Sequence, residues 1–185
     1  MQTEKSKRKW KKIKQKITNC KLTKLKEKIK ASKEKRKGLR KREILNFLKC
    51  SPRFIGCFGE DELTHLSIQS YPSYLIVNID QSNMPGSHWI AIGVFRNKIE
   101  IFDTLGFQLF NWSRIPCKLL HFLHKFSQSR RIVTLKRIQS DKSTLCGYYS
   151  IFYIVCRPFC SFRNLEKLFS SKFSVNDSTL IKFFS

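Results

Sequence analysis

The stretch QSDKSTLCGYYSIFYIVC, residues 139–156, changes character within one residue. It is polar up to Thr144, and from Leu145 to Cys156 there follow 12 apolar, small or tyrosine residues. That run suits about three helical turns and falls short of the roughly 20 residues a membrane span needs. A buried helix is predicted, ended by Arg157-Pro158, with Ser143 or Thr144 as its N-cap. Cys146 then lies in the first turn, where the positive end of the helix dipole and free backbone N–H groups favour a thiolate. Taken singly, a cysteine is more often a core residue, and Cys156 or Cys160 would serve as well as Cys146.

Working back along the chain, Arg131–Leu135 reads as a strand, and IPCKLLHFLHKFS at 115–127 has the period of an amphipathic helix. A hairpin precedes them: His88–Phe95, a turn at Arg96-Asn97-Lys98, then Ile99–Asp103. Tyr74–Asp80 is an aliphatic run suited to a sheet centre, Phe54–Gly59 reads as a loop leading into a helix start at Glu60-Asp61-Glu62, and Glu43–Cys50 is a short helix stopped by Ser51-Pro52. His88 and Asp103 fall at the same open end of the hairpin. A two-residue turn at Asn97-Lys98 puts Asp103 opposite Ile92, so contact with His88 requires twist, a bulge or another register.

A cysteine nucleophile needs a base, a group to orient that base, and donors aimed at the developing oxyanion. The chain offers one candidate for each: His88 as the imidazole, Asp103 as the orienting carboxylate, and the Gln139 amide alongside the Cys146 backbone N–H. Considered alone, each is an ordinary hairpin, turn or loop residue.

The ordered set MPGSHWIAIGVF (84–95), IEIFDTLGF (99–107), IVTLKRIQ (132–139) and QSDKSTLCGYYSIF (139–152) resembles the adenovirus-type cysteine proteases and, more distantly, the sentrin/ubiquitin-like-protein proteases. EILNFLKCSPRFIGCFGEDEL (43–63) is also similar to the opening of the adenovirus enzyme, so the resemblance runs from Glu43 to about Arg157. It implies an α+β, papain-like cysteine protease core with a central mixed sheet and the catalytic cysteine at the N-terminus of a buried helix. By the same resemblance Cys146 is the nucleophile, His88 the base, Asp103 its orienting group and Gln139 part of the oxyanion hole, with Trp89 packed beside the histidine. It further implies cleavage after small residues in a Gly-containing motif through a narrow channel, with Gly86 and Gly147 leaving room for close backbone approach. Asp103 matches the sentrin-type branch where many adenovirus enzymes have Glu. The cysteine that can bind an activating peptide in adenovirus enzymes is replaced here by Ile132.

The chain has 185 residues with 37 Lys+Arg against 13 Asp+Glu, a formal charge of +24 that favours anionic partners. Residues 1–42 carry 20 of the basic side chains and three acidic ones, and their few apolar residues cannot close a core. They are expected to form a basic tail, and residues 43–185, richer in apolar side chains, the protease domain. Trp10, Ile13, Ile17, Leu22, Leu25 and Ile29 have helical spacing over residues 8–37, with a flexible polycation as the equal alternative because the lysines repel one another. Either form binds phosphates. Lys33, Lys35, Arg36, Lys37, Arg40, Lys41 and Arg42 are the expected nucleic-acid contacts and would equally suit nuclear import.

Seven cysteines without a CxxC pair or an apolar leader fit a reducing compartment, and the four histidines do not fall into zinc spacing with them. No cofactor is expected, although DNA is an expected activator. The resemblance, with the reducing compartment, implies a monomeric, intracellular enzyme of the host nucleus and virion, from an adenovirus-like virus or virus-derived mobile element. Its substrates would be polypeptides, capsid or precursor proteins, with no membrane partner. The competing readings are a deconjugating protease for a ubiquitin-like modifier and a noncatalytic nucleic-acid-binding protein.

Overall fold

The computed structural model describes residues 38–106, 115–126, 130–134 and 136–184, together with the isolated helical positions Arg8, Lys11 and Gln15. The remainder of the helix expected over 8–37 lies outside the described residues.

A five-stranded sheet in sequence order organises the fold. Its strands are β1 (Phe54–Phe58), β2 (Ser73–Asn78), β3 (Trp89–Val94), β4 (Lys98–Phe102) and β5 (Arg130–Val133). The outer pairs β1/β2 and β4/β5 are parallel and the inner pairs antiparallel. The helices are α1 (Lys41–Leu48), α2 (Cys117–His124), α3 (Cys146–Cys156), α4 (Phe162–Glu166) and α5 (Phe173–Phe184), with 3₁₀ turns at Glu60–Leu63 and Arg157–Phe159.

Every residue of β2 and β3 is buried, because both sheet faces are covered. That is why these strands read as continuous aliphatic runs rather than alternating ones. Tyr74, Ile76, Ala91 and Phe102 point to one side and pack on α3, α4 and α5 through Phe152, Tyr153, Phe162 and Phe183. Leu75, Val77, Ile90, Ile92 and Ile101 point to the other and pack on Leu119, Phe122 and Leu123 of α2.

Two local expectations are corrected. Phe54–Phe58 is a strand, not a loop: it pairs in parallel with β2 after an irregularity at Gly56. There φ is +149°, and a Cβ would come within 2.7 Å of the Phe58 ring, so the bend depends on glycine. The hairpin turn is at Arg96-Asn97, because the Phe95 N–H donates to the Lys98 carbonyl at 2.9 Å. The ladder therefore pairs Ala91 with Phe102 and Ile92 with Ile101, two residues away from the register predicted above.

The far end of α3 is pinned to the sheet by buried charge. Glu100 of β4 is fully buried and accepts a two-pronged contact from Arg157, Nε to Oε2 at 2.6 Å and Nη2 to Oε1 at 2.8 Å. It also accepts the Tyr153 hydroxyl at 2.8 Å, and Lys98 lies 3.0 Å from Oε1. Burial alone would push the Glu100 carboxyl up; the hydrogen bonds from Arg157, Lys98 and Tyr153 outweigh it and hold the group below its ordinary value. Anchored there, α3 runs along β3, and its Ser150 hydroxyl donates to the Trp89 carbonyl at 3.2 Å.

Candidate active site

The N-terminus of α3 faces the end of the sheet where β3 begins and β4 ends. His88 immediately precedes β3, Asp103 immediately follows β4, and Cys146 is the first residue of α3. All three are buried, at 4%, 1% and 7% exposure, so their mutual contacts are formed away from bulk water.

His88 Nε2 and Asp103 Oδ1 are 2.7 Å apart. Register explains the contact: continued by one residue, the β3/β4 ladder sets Asp103 opposite Ile90, and His88 is two residues further on the same face. This is the diagonal neighbour that long side chains reach. With Nε2 committed to Asp103, Nδ1 is the ring nitrogen left for Cys146, which lines the same cleft as His88. Burial pulls the His88 pKa down, but hydrogen bonds to Asp103 and Cys146 and their negative charge overcome it, raising the value from 6.5 to about 9.

Asp103 is held as firmly as the ring it holds. The Leu105 N–H donates to Oδ1 at 2.9 Å, and the Asp103 N–H donates to Thr134 Oγ1 at 3.0 Å. Oδ2 is buried without a hydrogen-bond partner among the described residues. A carboxylate so poorly solvated gains most from an adjacent imidazolium.

Gln139 comes to the same cleft from the loop before α3. It is 2% exposed. Its Oε1 accepts the Thr104 hydroxyl at 2.6 Å, and its Nε2 donates to the Ser143 carbonyl at 2.7 Å. A carbonyl can only accept, so the Ser143 contact fixes which end of the amide is nitrogen. One Nε2 hydrogen then remains for another acceptor.

His88, Gln139 and Cys146 line a cleft of about 470 Å³, together with Gly38, Leu39, Gly86 and Trp89. Gly86 has φ +84°, and a Cβ there would come 2.4 Å from Asn78 Nδ2, so the rim beside His88 requires glycine. Gly147 serves packing instead of substrate access: a Cβ would meet Leu39 at 3.1 Å and Trp89 at 3.4 Å. The expected caps of α3 are also corrected. Leu145 is the N-cap residue, no side chain caps the helix, and the Ser143 hydroxyl is buried without a partner among the described residues. Gln139 draws the Ser143 carbonyl toward itself and α3 begins beyond it.

A family model described as adenovirus endoprotease matches residues 54–177, about two thirds of the chain. The chain belongs to the adenovirus endoprotease family. It is accordingly a cysteine peptidase of the adenain type. No curated protein matches it. Among solved structures it is similar to the selenomethionine crystal structure of the ASFV pS273R protease, at 19% identity and a TM-score of 0.50. That match covers 81% of this chain and 67% of the other, and it agrees with the α+β, papain-like fold.

Two residues that the family pattern did not single out support the site, Thr104 from behind Gln139 and Leu39 on the cleft wall. Thr104 sits beside Asp103 in the turn after β4, where its residue type gives no signal apart from that adjacency. Leu39 looks like part of the basic run, yet it is 5% exposed and its carbonyl accepts the Trp89 indole N–H at 2.8 Å. A lone leucine within KGLRKR was the available clue.

Of the expected nucleic-acid contacts, Lys33, Lys35, Arg36 and Lys37 lie outside the described residues. Arg40 and Arg42 are exposed, Arg40 on the cleft wall, and Lys41 bonds Glu62 at 2.6 Å. Among the described residues there is no group of three or more His, Cys, Asp or Glu placed to hold a metal, and no helix is long and apolar enough to cross a membrane.

Proposed function

We propose that the chain is an endopeptidase acting through Cys146, His88 and Asp103, with Gln139 and the Cys146 backbone N–H as oxyanion donors. The observation that carries this reading is the buried His88–Asp103 pair at 2.7 Å, whose imidazole lines one cleft with Cys146 and Gln139. Nδ1 of His88 takes the thiol proton, and Asp103 stabilises the imidazolium. The Cys146 sulfur adds to the scissile carbonyl carbon, and its oxygen becomes the anion that the two N–H donors receive. On collapse the C–N bond breaks and the leaving amine takes the proton from His88, which leaves an acyl-enzyme. Water, deprotonated by His88, then releases the acid and restores the thiol.

The substrates are polypeptides cut after a Gly-containing motif in viral or element-encoded precursor proteins. This specificity is carried over from the family. DNA aids the reaction: the basic segment joins the domain at Gly38, Leu39 and Arg40, which are themselves cleft residues. A polyanion held by that segment is therefore held beside the nucleophile, and its affinity falls as salt rises.

The test is to treat the purified chain with a vinyl-sulfone peptide ending in Gly, with and without duplex DNA, and to map the modified residue by mass. Labelling confined to Cys146 and abolished in Cys146→Ala is expected. Labelling spread over several cysteines, or near-wild-type peptide turnover by Cys146→Ala, would overturn the assignment.

A further inference from the structure

Asp103 and Thr104 are consecutive residues at the end of β4, and each holds a different part of the site. Asp103 grips the His88 ring. Thr104 grips the segment that carries Gln139 at three points. Its carbonyl accepts the N–H groups of Ile138 at 2.9 Å and Gln139 at 3.2 Å, and its hydroxyl donates to Gln139 Oε1 at 2.6 Å. Thr104 is fully buried. A β-branched side chain has few rotamers there, so the hydroxyl direction is fixed along with the backbone.

With Oε1 held by Thr104 and one Nε2 hydrogen held by the Ser143 carbonyl, the amide has no rotation left. Its remaining N–H has a single direction, in a cleft shared with Cys146 and His88. Donors fixed before the reaction stabilise an oxyanion better than donors that must reorient, because no reorganisation is required as charge develops. The hydroxyl also polarises the amide: donation into Oε1 strengthens donation from Nε2.

We propose that Thr104 is the positioning residue of the oxyanion site, acting on the reaction through Gln139. This rests on the assignment of Gln139 as an oxyanion donor. The two-residue step Asp103-Thr104 then sets the base and the oxyanion donor from one rigid turn. Misplacement of this turn disturbs both together.

The test compares Thr104→Val, which keeps the shape and removes the hydroxyl, with Thr104→Ser, which restores it, on a fluorogenic peptide with Gly before the scissile bond. Thr104→Val is expected to lower kcat about tenfold with KM changed less than about twofold, a fraction of the 10²–10³ that loss of an oxyanion donor costs. Thr104→Ser is expected to recover most of that loss. Affinity for a peptide aldehyde ending in Gly, whose adduct oxygen occupies the oxyanion position, should fall in step with kcat/KM. Iodoacetamide alkylation of Cys146, which forms no oxyanion, should not. In a Gln139→Ala background, Thr104→Val should add less than about twofold, because the two residues act as one unit.

Wild-type kcat in Thr104→Val, or an undiminished tenfold loss in the Gln139→Ala background, would overturn the proposal. A parallel fall in iodoacetamide reactivity would do so too, since it would mean that Thr104 acts on His88 through Asp103. If Thr104→Val does not fold, Thr104→Ala goes through the same cycle with the same readings. An active enzyme indifferent to Thr104 removes only this inference. A wild-type chain that neither cleaves the peptide nor is labelled at Cys146 removes the assignment beneath it.

Discussion

His88 and Asp103 meet across a diagonal of the β3/β4 ladder, at 2.7 Å between Nε2 and Oδ1. The bond commits Nε2 and leaves Nδ1 for Cys146, so Asp103 selects the tautomer as well as the orientation of the ring. Asp103→Asn keeps the shape and removes the charge. Its expected effect is a fall in kcat/KM of roughly 10²–10⁴, the range that general acid–base catalysis supplies, with little change in fold. A variant within about threefold of wild type in steady-state kinetics would mean that the carboxylate does not orient the base.

The same pair sets a pH dependence. His88 is raised to about 9, burial opposing and the contacts with Asp103 and Cys146 prevailing. The imidazolium that protonates the leaving amine is lost as pH rises, so the alkaline limb of kcat/KM is expected near 9, and Asp103→Asn should move it to lower pH. Stability follows the same sign. A folded-state pKa above the unfolded value contributes stability that is complete below about 6.5 and lost as pH rises through about 9. The peptide-cleavage profile and thermal melts across pH 6–10 check both.

The His88–Asp103 contact also marks the limit of what the sequence conveys. The hairpin was legible from its alternation, and the residues at its open end from their chemistry. A turn at Asn97-Lys98, however, sets Asp103 opposite Ile92, whereas the Arg96-Asn97 turn sets it opposite Ile90. Sliding the turn by one residue moves the pairing by two, enough to join or separate two side chains without altering the hydrophobic pattern. Phe54–Phe58 failed for a related reason: a five-residue strand containing glycine gains its identity from pairing with β2, not from its own residues. Cys146 at a helix start was legible because the polar-to-apolar boundary is sharp. Thr104 was not, since its role depends on Gln139, 35 residues away.

Glu100 and Arg157 supply a test of how α3 is held. Removing one partner strands a buried charge, which costs about 3–5 kcal/mol, so Arg157→Met is expected to lower the midpoint of urea unfolding strongly. Glu100 is held below its ordinary pKa, its hydrogen bonds outweighing burial. Its contribution is therefore present above the unfolded-state pKa and lost as pH falls through the folded one. Wild type should lose stability on acidification more steeply than Arg157→Met. Equal acid sensitivity in the two would assign the effect to other carboxylates.

The boundary between the basic segment and the domain can be located by truncation. Leu39 is 5% exposed, packs against Gly147 and accepts the Trp89 indole N–H through its carbonyl. Arg40 offers its backbone N–H to Glu43 at 2.8 Å at the start of α1. Removing residues 1–37 therefore leaves these contacts intact, and removing residues 1–42 destroys them. The shorter deletion is expected to reduce affinity for duplex DNA, and the salt dependence of that affinity, while Tm stays within about 2 °C and a short Gly-containing peptide is still cleaved. The longer deletion adds the loss of a buried leucine, worth about 2–5 kcal/mol, and should melt well below the first. Trp89, next to His88, loses the hydrogen bond of its indole N–H in the longer deletion, so peptide cleavage should fall there as well. Melting curves and peptide kinetics on the two truncations read this directly. Equal stability and activity in both would place Leu39 outside the working enzyme, and unchanged DNA affinity in the shorter one would place the nucleic-acid surface elsewhere.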